Sequence, residues 1–146
     1  MALYSIGVRT AAAATGAAFA DLKSTATDRL FVREIHGYVA SAVVLTVGLT
    51  RPNALGTQTT PVLGQAEDPA DPAATGLTAV AWSVAPTVIA TPIYLRRFDA
   101  PATIGNGIIW TFGGRGLVVP VSSSLLLWNI GAGAGPLLDV VFVWEE

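Results

Sequence analysis

Charged side chains are scarce in this chain. Lys, Arg, Asp and Glu make up 12% of its 146 residues, against about 25% in an average soluble domain. A domain of this length leaves roughly a third of its unfolded surface in water, so these charges cover the outside thinly. Apolar residues reach 52%. Two settings suit such a chain: a bilayer around it, or partner molecules over much of its surface.

Cysteine is absent, which excludes disulfides, zinc–thiolate sites and thiol nucleophiles. A basic field is absent too. The net charge is −2 and the cations are scattered at Arg9, Lys23, Arg29, Arg33, Arg51, Arg96, Arg97 and Arg115. Only Arg96 and Arg97 adjoin, and neighbours on a strand point to opposite faces, so no nucleic-acid partner is expected.

Histidine occurs once, at His36, two residues after Glu34. On a strand the two share a face, the arrangement of a base with an orienting carboxylate. With no second histidine or cysteine nearby, the pair reads instead as a strand pair at a sheet rim or subunit seam. No enzymatic role, metal site or cofactor is expected.

Two long stretches lack charge, residues 73–95 and 116–138. Each is long enough to cross a bilayer. Pro86 and Pro92 break the first; Pro120, Ser122 to Ser124, Asn129 and the alternating Gly131 to Pro136 break the second. Proline and glycine at this density do not make a lone span, so no membrane association is expected. Ala18-Phe19-Ala20 before Asp21 has the form of a cleavage site, but the preceding stretch is alanine broken by Thr15 and Gly16. It reads as part of the fold.

What is present has period two, in β-branched and aromatic residues. In the last strand Leu138, Val140, Phe142 and Trp144 share one face, the core face. Asp139, Val141, Val143 and Glu145 share the other, apolar at its middle as where another chain or sheet lies against it. Seven other strands are expected at residues 3–9, 17–23, 29–39, 43–51, 93–98, 108–112 and 118–128. Hairpins are expected at residues 113–116 and at Ser41-Ala42, and positive φ is tolerated at Gly105-Asn106-Gly107. No helix longer than two turns is expected. These elements predict one all-β domain over residues 1–146, an antiparallel β-sandwich of jelly-roll type, with a β-barrel as the alternative architecture. Residues 1–16 are a candidate contact arm. The proline-rich residues 52–92 read as a long excursion from the sheets, and loops of that length are usually functional.

Glu67, Asp68 and Asp71 form the one acidic cluster. A calcium site would need more ligands in ordered spacing, and Asp-Pro is ordinary turn chemistry, so a solvated loop or an ion pair with another copy is expected. The serine run at 122–124 lacks the elbow of a nucleophile. The glycines at 131, 133 and 135 lack phosphate-loop spacing. Trp110, Trp128 and Trp144 fall in expected strands and are assigned to the core. Trp82, in the excursion, is assigned to an interface. Arg96 and Arg97, in an apolar setting, are candidates for pairing with the acidic loop across subunits, and Arg9 is a further interface candidate.

Several stretches carry a resemblance. They are residues 63–69, Leu95-Arg96-Arg97, residues 107–112, residues 117–125 and Trp128-Asn129. Together they resemble small virion proteins of tailed bacteriophages. The resemblance implies a non-enzymatic part of the particle, made in the host cytoplasm. It implies a capsid decoration, or cement, protein on the outer head surface that forms a homotrimer and bridges major capsid subunits. The alternative it leaves open is a tail or fibre component binding host surface glycan, for which Trp82 or Tyr94 would be the exposed aromatic.

Overall fold

Alternating hydrophobicity and turn residues every few positions produce fourteen strands and no helix in the computed structural model, which describes Met1–Glu146. The longer strands are β1 (Leu3–Arg9), β2 (Ala18–Lys23), β3 (Leu30–Val39), β4 (Leu45–Thr50), β10 (Arg96–Ala100), β11 (Gly107–Thr111), β13 (Ser124–Asn129) and β14 (Leu138–Glu145). Shorter ones are β5 (Thr57–Gln58), β6 (Val62–Leu63), β7 (Gln65–Ala66), β8 (Leu77–Ala79), β9 (Trp82–Val84) and β12 (Leu117–Val119).

They form two six-stranded antiparallel sheets that share one hydrophobic core. Sheet A runs β11-β3-β14-β1-β7, with β12 also on β3; sheet B runs β10-β4-β13-β2-β8-β6. Strands β5 and β9 pair separately. The all-β, antiparallel expectation is borne out.

The last strand follows its alternation closely. Leu138, Val140, Phe142 and Trp144 are buried, and the residues between them are half-buried on the outward face. Trp144 is the deepest anchor. Its ring stacks on Tyr4 at 6.0 Å. The backbones at Gly64 and Gly76 lie so close that a Cβ at either would meet the indole, at 2.2 Å and 3.0 Å. Trp110 and Trp128 are buried too, as expected.

Several local expectations are corrected. Residues 113–116 do not close a hairpin: β11 pairs with Glu34 to Tyr38 and β12 with Leu30 to Val32, so both lie along the same strand. The glycines make a kink there, Gly114 and Gly116 having φ of 61° and 74°. Ser41-Ala42 does not close one either, because β3 belongs to sheet A and β4 to sheet B. The expected strand 118–128 is two strands in different sheets. Pro120 follows β12 and Ser122 takes a left-handed φ of 50°. The strand expected at 93–98 begins at Arg96 and runs to Ala100.

Residues 1–16 are not a free arm. Strand β1 is an interior strand between β14 and β7, with Tyr4 and Ile6 buried. The connection after it is tied down by Asn129, whose side-chain amide donates to the carbonyl of Ala13 at 2.8 Å.

Residues 52–92 lie between β4 and β10 and contain β5 to β9. Through β7 on β1, and β8 with β6 on β2, this segment closes one side of both sheets. The opposite side is left to β10 and to β11 with β12. A strand at the edge of a sheet keeps one row of backbone N–H and C=O groups without a ladder partner.

Candidate functional site

The sequence-derived candidates do not converge on one cleft. Glu34 and His36 do share a face of β3, with Oε2 and Nε2 2.8 Å apart. The pair sits on the outward face of sheet A, where His36 is opposite Val141 on one side and Ile109 on the other. The Tyr38 ring meets the imidazole edge-on at 6.5 Å. This is a strand-neighbour pair on an open sheet face.

The acidic loop is occupied by turn chemistry. Glu67 accepts from the Ser5 hydroxyl, and the Asp68 carboxylate accepts the Ala70 N–H at 2.9 Å. The Asp71 N–H donates to the Asp68 carbonyl at 3.0 Å. Nowhere in the chain do three His, Cys, Asp or Glu side chains gather as a metal would require.

Arg9 is engaged within the chain. It lies opposite Asp139 in the β1–β14 register and holds it in a fork, both contacts at 2.7 Å. That fork pushes the Asp139 carboxyl below its ordinary range. Arg33 similarly holds Glu145 at 2.7 Å.

Arg96 and Arg97 are both exposed at the start of edge strand β10. Alternation sends them to opposite faces. The Arg96 guanidinium lies 5.3 Å from the Phe112 ring centroid and that of Arg97 5.7 Å from the Tyr94 ring, distances at which a cation is attracted to the ring. The acidic loop follows β7, at the other side of the sandwich, so within one chain these arginines and those acids do not pair.

Trp82 is half-buried in β9. Its indole N–H donates to Asp21 at 3.2 Å. Asp21 is fully buried on β2 and also accepts from the Gln58 amide at 2.7 Å and the Ala79 N–H at 2.9 Å. Burial raises its pKa above the ordinary carboxylate value, against the lowering effect of those donors. This one carboxylate therefore ties β5, β8 and β9 to β2. Sequence reasoning missed it. The signal was an acid flanked by Phe19, Ala20 and Leu22.

A second carboxylate has a parallel role. The Glu146 side chain accepts the Thr75 hydroxyl at 2.9 Å, the Gly76 N–H at 3.1 Å and the Trp144 indole at 3.3 Å.

The feature with the least internal explanation is apolar. Ile93 is 80% exposed and Ile89 53%. Both rise from the irregular stretch before β10. Ile89 stands between two shallow grooves, one lined by Arg51, Pro52 and Ile93, the other by Tyr94, Trp128 and Ile130. Thr15 and Gly16 border the second groove. The two segments assigned from sequence to contact therefore meet at one place on the surface.

Comparison with protein-family models, with curated proteins and with solved structures finds no match.

Proposed function

We propose that this chain is a non-enzymatic virion structural protein: a capsid decoration protein of the tailed-bacteriophage type. It binds the outer surface of the head, self-associates, and bridges neighbouring major capsid subunits. The homotrimer is the state implied by the sequence resemblance.

The observation that carries this reading is the exposed Ile89–Ile93 ridge with Thr15 and Gly16 beside it, on a chain whose charges are few. Large apolar side chains held out from an otherwise ordered fold gain from being covered. Burial supplies about 25 cal/mol per Å² of apolar area, reduced by the ordering costs of association. Engaging several capsid subunits at once makes the later contacts intramolecular, so modest individual contacts suffice.

Strand order gives further support. The eight longer strands lie in the order β11-β3-β14-β1 in one sheet and β10-β4-β13-β2 in the other, which we read as the jelly-roll plan, a common architecture of capsid domains.

The test is co-sedimentation. Purified chain is mixed with heads, and separately with tails, of the phage whose genome carries this sequence. Saturable pelleting with heads supports the reading. Pelleting with tails alone transfers the chain to the tail or fibre reading with its glycan ligand. Pelleting with neither overturns both.

A further inference from the structure

The free edge of sheet B has a charge pattern that matches itself. Strand β10 pairs only with β4, and no turn or loop hydrogen bond engages the backbone of residues 96–100. Its register with β4 sets Phe98 opposite Val47 and Ala100 opposite Leu45, on the core face, and Arg97 opposite Gly48 and Asp99 opposite Thr46, on the outward face. Arg97 and Asp99 are both exposed. Neither forms an ion pair within the chain.

We infer that β10 is an isologous interface, pairing antiparallel with β10 of a second copy about a two-fold axis at Phe98. In that register Arg97 of each copy lies directly opposite Asp99 of the other, giving two opposite-charge pairs on one face. Arg96 falls opposite Ala100. The unpaired backbone groups of the two edges complete each other's ladder, and sheet B continues from one molecule into the next.

Charges on an edge strand ordinarily repel a stray strand. Here their order rejects strands in general and accepts this one, since opposite charges directly across a strand pair attract while like charges repel. A two-fold contact between identical patches is the commonest form of self-association. The partner of Arg97 is then Asp99 of another copy and not the acidic loop at the far side of the sandwich. This inference concerns self-association alone and stands whichever particle surface the protein binds.

The test is sedimentation equilibrium of the full chain over a dilution series. The wild type is compared with Arg97→Asp, Asp99→Arg and the double exchange. The expected wild-type mass at high concentration is an even multiple of 15.0 kDa, from a dimer of the chain or a dimer of the trimer proposed above. Each single reversal sets two like-charge pairs across the axis, and weakening of about tenfold is expected. The double exchange restores association. Amide hydrogen exchange gives a readout free of variants: residues 96–100 gain protection as concentration rises. Several results would overturn the inference. They are a monomer, a closed trimer with nothing larger, a double exchange no better than the singles, β10 exchange independent of concentration, or rescue of Arg97→Asp by reversing Asp68 or Asp71. A trimer without β10 protection leaves the decoration reading intact.

Discussion

The Trp82 indole donates to the buried carboxylate of Asp21, joining the long segment after β4 to the middle of sheet B. Gln58 and the Ala79 N–H converge on the same carboxylate. Removing it with Asp21→Ala leaves these donors without an acceptor. The expected cost is about 1–3 kcal/mol of stability. Limited proteolysis should show cleavage within residues 52–92 rising before the rest of the domain is cut. A variant as stable and as resistant as the parent would deny Asp21 this role.

Asp21 also predicts a pH effect with a definite sign. Its folded-state pKa is raised by burial above 3.8, so the native state takes up a proton before the unfolded chain does. From this group alone, stability rises as pH falls through the raised value and levels off below the ordinary one. Asp28 and Asp139 act oppositely. Their pKa values are lowered by hydrogen bonds from Thr27 and Thr25 and from Arg9, and their contribution is lost at lower pH. Urea unfolding of the parent and Asp21→Asn isolates the first effect. The parent should gain on the variant between neutral pH and the ordinary carboxylate range. A difference that does not change with pH contradicts this.

Gly64 is fixed by Trp144. A Cβ there would lie 2.2 Å from the indole, and that ring is fully buried and stacked on Tyr4. Gly64→Ala should cost about 1–3 kcal/mol through overpacking, read as a lowered melting temperature with perturbed tryptophan fluorescence. Gly113→Ala, where nothing lies within 4 Å of the new Cβ, is the control and should change little.

Ser124 is buried on β13 and its hydroxyl has no hydrogen-bond partner. An unsatisfied buried polar group costs stability. Ser124→Ala should be neutral or stabilising by up to about 1 kcal/mol, measured by denaturant midpoint. A clear loss would mean that the hydroxyl is bonded.

The sequence made the strands legible where one face alternates cleanly, as in Leu138 to Trp144, because period two leaves only one register that buries the apolar set. It did not reveal which strands pair. Residues 113–116 and Ser41-Ala42 carry hairpin chemistry, yet one kinks a strand pair along β3 and the other crosses between sheets. Turn residues report local backbone freedom and not the partner far away in sequence. Arg96, Arg97 and Trp82 were legible as unusual residues. Their partners were not, because Phe112, Tyr94 and Asp21 reach them only through the folded topology. The Ile89–Ile93 ridge lay inside a segment recognised by its prolines, but only the fold shows which of its apolar residues stay outside.

Under the proposed function, the particle covers this ridge. The most direct measurement is co-sedimentation of the parent and of Ile93→Asp with phage heads, alongside thermal melts of both. An exposed side chain contributes little to the fold, so the melts should agree within the ±0.5 kcal/mol usual for surface changes. The parent should pellet with heads to a fixed copy number, and Ile93→Asp should bind at least about tenfold more weakly. Equal binding by the two, or a parent that stays in the supernatant, would contradict the account.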